Sequence, residues 1–196
     1  MIKLNLGCGI WIKKGYITVD LYNPDDLKNK VGSLKNCVWE KGAKYIQANI
    51  KQLPFPDNYA DVVQLFEVIE HIPYSQVIYV LKEINRVMKK GGKLLITAPC
   101  MDGLIKDWLN IMTAKFKYEN YEEVMQTMYG GQTSFGEFHN GAINPQLMNY
   151  YFVKSGFTQG KMEIIPKYSP LKAFGSSKWV KGTLARNETL LAEVIK

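Results

Sequence analysis

Two glycines one residue apart, Gly7 and Gly9, stand directly after a short apolar run, and Asp20 follows 11 residues beyond the second. Glycine has no Cβ, so backbone there can turn sharply or come within contact distance of a ligand. A strand ending in Gly-x-Gly is therefore a candidate small-molecule cradle in an α/β protein. Its plainer alternative is a tight strand-to-loop turn that binds nothing. In nucleoside-binding α/β folds an acidic residue ending the second strand accepts hydrogen bonds from ribose hydroxyls. Asp20 suits that role better than its alternative, a solvated strand end, because the cradle precedes it. A dinucleotide fingerprint would need a third glycine at position 12 and a helix N-terminus for the pyrophosphate. Position 12 is Ile12 and no such helix is evident, which weighs against a nicotinamide cofactor.

The elements that must hold these residues can be read in order. Ile2 to Leu6 forms a short buried strand, apolar at Ile2, Leu4 and Leu6. Only Ile10 to Gly15 separate the cradle from a second strand, Tyr16 to Asp20, so the usual crossover helix is missing or reduced to about a turn. Residues 21–42 are polar and broken by Pro24, with a short helix near Asp25 to Lys30. Tyr45 to Ala48 is a third strand ending in Asn49, and two prolines make Ile50 to Asp57 a loop. Asp61 to Phe66 is a fourth strand, continuously apolar as one covered on both faces should be. After Glu67 to Pro73 comes the clearest helix, with Val77, Val80, Leu81, Ile84, Val87 and Met88 on one face. Lys89 and Lys90 suit the negative end of its dipole, and Gly91-Gly92 its stop. Lys93 to Ala98 is a fifth strand, closed by Pro99. This alternation is the pattern of a parallel sheet.

From Cys100 to Asn140 the alternation lapses. Helices are predicted near Leu104 to Thr113 and Tyr121 to Tyr129, followed by a glycine-rich loop that carries His139. A long irregular segment after a core strand is usually a lid or substrate loop. Asn144-Pro145 opens another helix that ends at Ser155-Gly156, and Phe157 to Ile165 and Thr189 to Ile195 read as final strands. Between them runs a basic loop, 167–186, either solvated or placed to receive an anionic substrate. The expected architecture is one doubly wound, Rossmann-like α/β domain over 1–196. Its sheet is mostly parallel with seven strands, its first crossover is reduced, and residues 100–141 form a substrate-side insertion.

Composition sets the outer limits. The chain has 196 residues, 46% hydrophobic and 22% charged, which is ordinary for a soluble domain. No apolar run approaches the roughly 18 residues of a membrane helix, and a first strand at residue 2 leaves no room for a signal peptide. Three scattered cysteines, Cys8, Cys37 and Cys100, form no disulfide framework and no Cys-x-x-Cys metal pair. A cytoplasmic protein without a bound metal is expected. The net charge of +7 would permit nucleic acid, yet only Arg86 and Arg186 are arginine. Arginine is the preferred reader of bases and phosphates, so a nucleic-acid partner is disfavoured.

Four segments in order, LNLGCG (4–9), TVD (18–20), ANIKQLPFPDNYADVVQLFEVIEHIP (48–73) and LKEINRVMKKGGKLLITAP (81–99), resemble the class I S-adenosylmethionine-dependent methyltransferases. The missing first crossover helix and the late FHN (138–140) resemble a compact, type 11-like branch often associated with surface-polysaccharide or sugar metabolism. The resemblance implies S-adenosylmethionine as cofactor, which has no phosphate and needs no third glycine. It implies that Gly7 and Gly9 approach the methionine part and that Cys8 packs there as a small residue. It puts Asp20 on the ribose diol, Leu21 and Ile50 against the adenine, and Asn49 on the adenine amine in place of the more common Asp. Phe66 and Glu67 would lie beside the amino-acid moiety. Asn5 departs from the usual acidic residue.

Methyl transfer needs alignment from the protein, and a hydroxyl acceptor also needs a base of near-neutral pKa. The two histidines, His71 at the cofactor rim and His139 in the substrate loop, could converge on one cleft. His71 also has a plainer reading as a helix-start residue shaping the pocket. Glu70, Tyr129 and Glu137 are second-tier candidates. The expected activity is O-methylation of a small hydroxylated acceptor, sugar-like or anionic. The rivals are a nucleic-acid methyltransferase, against which the absence of an Asn/Asp-Pro-Pro-aromatic motif speaks, and a non-catalytic cofactor-binding protein.

Overall fold

A computed structural model of the chain describes residues 1–7, 9, 11–23, 25–26, 38–113, 118–132, 137–165 and 189–196. One seven-stranded sheet organises them. Its strands are β1 (Lys3–Leu6), β3 (Ile17–Asp20), β5 (Lys44–Gln47), β6 (Ala60–Phe66), β7 (Met88–Pro99), β8 (Gln159–Ile165) and β9 (Thr189–Ile195), in the order β5-β3-β1-β6-β7-β9-β8. The first five in that row are parallel, and β9 runs antiparallel to both its neighbours. The order reverses at β1, so the crevice outside the carboxyl ends of β1, β3 and β6 is where an α/β sheet of this kind binds ligands.

Between β1 and β3 the described residues hold no crossover helix, as the short spacing predicts. A two-residue strand, β2 (Trp11–Ile12), stands there and pairs with β4 (Val38–Trp39) in a small separate sheet. The expected helix near Asp25 to Lys30 is helical at Asp25 and Asp26, and its remainder lies outside the described residues, as does the basic loop 167–186.

The core forms where the apolar pattern placed it. The helix α1 (Val77–Val87) buries Val77, Val80, Leu81, Ile84 and Val87 against a sheet whose Leu4, Leu6, Val63, Leu65, Leu94 and Ile96 are fully covered. Burying one such side chain contributes about 1.5–3 kcal/mol. One boundary differs from expectation. Met88 is buried, but as the first residue of β7, paired with Ala60, and the register then skips to Val62 with Lys93. Lys89 accordingly neutralises Asp61 across the strands at 2.9 Å instead of capping the helix, and Gly91-Gly92 lie within the strand. Strand pairing at Met88 replaces the helix C-terminal turn because it satisfies the same backbone groups and still buries the side chain.

Beyond β7, the helices α2 (Met101–Thr113) and α3 (Tyr118–Tyr129) pack on each other. The last helix, α4 (Pro145–Lys154), begins as its sequence demands: Asn144 Oδ1 accepts the Leu147 N–H at 2.9 Å and proline occupies the first turn. Among the described residues no helix is long and apolar enough to cross a membrane.

Candidate functional site

Two groups of residues gather at the carboxyl edge of the sheet. The first is built on β1 and β3. Gly7 has φ +64° and Gly9 φ +51°, the left-handed region that side chains disfavour. The two differ in what surrounds them. A Cβ on Gly7 would stand 2.6 Å from Val68 Cγ2, so packing against the loop after β6 requires glycine there. A Cβ on Gly9 would meet no atom within 4 Å, which leaves open room beside its backbone for a ligand. Cys8, between them, lies outside the described residues.

Asp20 closes this group. It ends β3, is 7% exposed, and its Oδ2 accepts the Gly9 N–H at 2.8 Å. Oδ1 accepts the Tyr22 N–H at 3.3 Å. A carboxylate offers about four lone-pair sites, so roughly two remain for a diol. Leu21, next in the chain, is 52% exposed and its carbonyl accepts from Gln47 Nε2 at 3.2 Å. Asn49 is exposed, and its Oδ1 already accepts the Lys51 N–H at 3.0 Å, so the oxygen expected on an adenine amine is shared with its own loop. Ile50 is half-buried against the core. Asn5 is 3% exposed on β1, beside Thr18 and Gln64 in the sheet. These residues fit an adenosyl group: a buried acid with spare acceptors, an uncrowded glycine backbone and an exposed apolar side chain lie along one strand-end crevice.

The second group follows β6. Phe66 ends the strand, and Glu67 takes φ +54°, a conformation that a non-glycine residue rarely adopts, with its N–H donating to the Thr97 carbonyl at 2.9 Å. Strain of this sort concentrates at functional edges. A single 3₁₀ turn, Ile69–His71, then places Glu70 inward and His71 beside the segment 137–141. Asn140 fastens the two: its N–H donates to the Glu70 carbonyl at 2.7 Å and its Nδ2 to the His71 carbonyl at 2.9 Å. His71 and His139 meet edge to face with ring centroids 4.8 Å apart, so the convergence expected from sequence is realised in space.

Each imidazole is held the same way. His71 Nδ1 lies 3.0 Å from the Phe138 carbonyl, and His139 Nδ1 2.8 Å from the Thr127 carbonyl. A carbonyl oxygen only accepts, so both Nδ1 atoms carry the proton and both Nε2 atoms keep a lone pair. Burial pushes the His71 imidazole below its ordinary pKa, opposed by its bond to Phe138 and by the Glu137 charge. Burial and then the neighbouring His71 bring His139 down to about 4. Glu70 is 2% exposed, and burial pushes its carboxyl up to about 8. Neither Glu70 oxygen has a hydrogen-bond partner on another residue, and only its own backbone N–H opposes the rise. In the sequence Glu70 is a second-tier candidate behind the two histidines, and no local pattern marks it for burial.

Residues 4–96 match the family described as "Methyltransferase domain". The chain is similar to an uncharacterized protein of Methanocaldococcus jannaschii, 35% identical over 104 residues, which are 53% of this chain and 44% of that one. It is also similar to a ubiquinone/menaquinone biosynthesis C-methyltransferase of a Shewanella strain, 37% identical over 82 residues, 40% of this chain and 31% of that one. The chain thus spans less than half the length of these curated relatives. Among solved structures, a SAM-dependent methyltransferase from Archaeoglobus fulgidus superposes with TM-score 0.59 at 16% identity, over 99% of this chain and 85% of that one.

Proposed function

We propose that the chain is a class I S-adenosylmethionine-dependent methyltransferase, a reading supported by its sheet order and by the family match over residues 4–96, and that it methylates oxygen on a small hydroxylated, sugar-like acceptor. The observation that carries the cofactor half is Asp20, buried and locked to the Gly9 N–H with acceptor capacity to spare. Asp20 would take the ribose diol, and the Gly9 backbone the methionine part. Leu21 and Ile50 would flank the adenine, with Asn49 at its amine, and Asn5, Phe66 and Glu67 would lie toward the amino-acid end.

When bound, S-adenosylmethionine supplies a methyl group on a sulfonium, an electrophile that needs alignment more than activation. What the chain must then manage is the proton of the acceptor hydroxyl. His71 and His139 support this reading, because both are neutral near pH 7, both are fixed in the Nδ1–H form and both present Nε2. The insertion from Cys100 to Gly141 brings His139 to the edge where His71 stands, which suits a substrate-side segment.

Calorimetry with S-adenosylmethionine, then methyl transfer from labelled cofactor to a panel of sugars, sugar nucleotides, phenols and RNA, tests the proposal. Transfer to sugar hydroxyls is expected. Transfer to aromatic carbon alone, as the name of the Shewanella relative would suggest, overturns the oxygen assignment, and transfer to RNA alone overturns the small acceptor.

A further inference from the structure

We propose that Glu70, His71 and His139 form a binding site for a divalent first-row transition ion such as Zn²⁺, Co²⁺ or Mn²⁺. One ligand atom from each of the three lies within 4.8 Å of the others. Donors about 2.0–2.2 Å from one ion stand roughly 3.0–3.6 Å apart, so the three need close by only about 1 Å to share it.

Three independent features point to an ion. Metal-binding histidines almost always donate the second ring N–H to a carbonyl or carboxylate, which fixes the tautomer and aims the other nitrogen. Both histidines do so, at 3.0 Å to Phe138 and 2.8 Å to Thr127, and both acceptors are backbone atoms that do not swing away. The third donor, Glu70, is 2% exposed, and neither of its oxygens is bonded by any other residue. A buried carboxyl left without hydrogen bonds costs stability unless something else satisfies it, and a cation held jointly with two imidazoles does so. Finally, Asn140 ties the 3₁₀ turn to the loop carrying His139 through the Glu70 and His71 carbonyls, which fixes the bite of the site.

Two nitrogens and one carboxylate suit the borderline ions from Mn²⁺ to Zn²⁺ better than Mg²⁺ or Ca²⁺, which prefer oxygen donors. Three protein ligands leave coordination positions for water or substrate, the arrangement of a catalytic rather than a structural ion. The role of such an ion rests on the methyltransferase reading; its binding does not. An acceptor hydroxyl on the ion becomes more acidic. Its O–H bond would break with the proton passing to solvent, and the oxygen would attack the sulfonium methyl with the freed electron pair as the methyl–sulfur bond breaks and the thioether leaves. The histidines then hold the ion instead of taking the proton.

Chelator-stripped protein titrated with Zn²⁺ and with Co²⁺, followed by calorimetry and by visible absorption, tests the site. Wild type is expected to bind one ion per chain, with Co²⁺ giving d–d bands of a nitrogen-ligated centre. His139→Ala and Glu70→Gln should each weaken binding by more than about 100-fold and abolish those bands, while Asn140→Ala, a positioning change, weakens it about 10-fold. S-adenosylmethionine binding by the same variants reports that they are folded. A wild type that binds S-adenosylmethionine but no transition ion overturns the site and leaves the methyltransferase reading intact. Undiminished metal binding in both His139→Ala and Glu70→Gln overturns it equally. Metal binding without S-adenosylmethionine binding supports the site and overturns that reading.

Discussion

Asp20 and Glu70 are both acids, both more than nine-tenths buried, and both at the carboxyl edge of the same sheet, yet the chain treats them oppositely. Asp20 ends a strand, and two backbone N–H groups point at its carboxylate. Glu70 sits on a short turn with apolar neighbours, and no donor beyond its own backbone N–H reaches its carboxyl. An acid with donors already in place has its oxygens oriented, and their spare lone pairs receive neutral hydroxyls. An acid without them keeps its proton until a cation makes the charged form worth holding. One edge of one sheet thus carries a finished hydrogen-bonding site and an unfinished charged one, and the boundary between them falls inside the loop after β6.

The comparison breaks most sharply at Asp20. Asp20→Ala removes an acceptor of two backbone N–H bonds and of any ribose diol, and hydrogen bonds to a charged group contribute about 1.5–3 kcal/mol each. S-adenosylmethionine affinity should fall more than about 100-fold by calorimetry. Affinity equal to wild type would remove Asp20 from the cofactor site.

Glu70 gives the next largest effect, and its sign depends on pH. Its folded pKa of about 8 lies above the ordinary 4.5, so between those values the unfolded chain releases a proton that the folded chain keeps. Metal-free stability therefore falls as pH rises through that window. His71 and His139, with lowered pKa values, act the other way, losing stability as pH drops below about 6.5. Between pH 6.5 and 8 Glu70 alone of the three titrates. With chelator present, Glu70→Gln should flatten the decline in melting temperature there and gain on the order of 2 kcal/mol at pH 8. An unchanged pH profile would mean that Glu70 is solvated.

Gly7 probes the boundary between the two groups. Gly7→Ala forces φ +64° on alanine and drives its methyl into Val68, 2.6 Å away. A loss of about 1–3 kcal/mol is expected in denaturant unfolding, partly recovered by Val68→Ala in the double mutant. Gly9→Ala, with open space before its Cβ, should cost less in stability and more in cofactor affinity.

How much of this was legible in sequence follows the same division. The glycine–aspartate cradle is local: strand, turn and acid lie within 20 residues, so type and spacing alone make it a candidate. The helix α1 and the cap at Asn144 are equally local in cause. Met88 shows where locality fails. Its burial continues the helical period through Val87, and only its pairing with Ala60, 28 residues away, makes it a strand. The burial of Glu70 is hidden for the same reason at longer range. Nothing between residues 67 and 73 says that the acid will be buried, because what covers it arrives with residues 137–141. The β2–β4 pair, joining residues 11–12 to 38–39, is a third case.

The smallest effect tests how far a satisfied acceptor can still serve a ligand. Asn49 stands where the methyltransferases that the chain resembles commonly carry a carboxylate, and its Oδ1 is already committed to the Lys51 N–H at 3.0 Å. Its second lone pair is what an adenine amine would use, and a neutral amide there is a weaker acceptor than an anion. Asn49→Ala should therefore lower S-adenosylmethionine affinity only about 3- to 10-fold, the worth of one shared neutral hydrogen bond. Asn49→Asp should raise it by a similar factor if the amine does bind there, because the charge strengthens that bond while the Lys51 contact survives. An aspartate that leaves affinity unchanged would place the adenine elsewhere along the edge, with Leu21 and Ile50 as its only side-chain neighbours among the residues assigned to it.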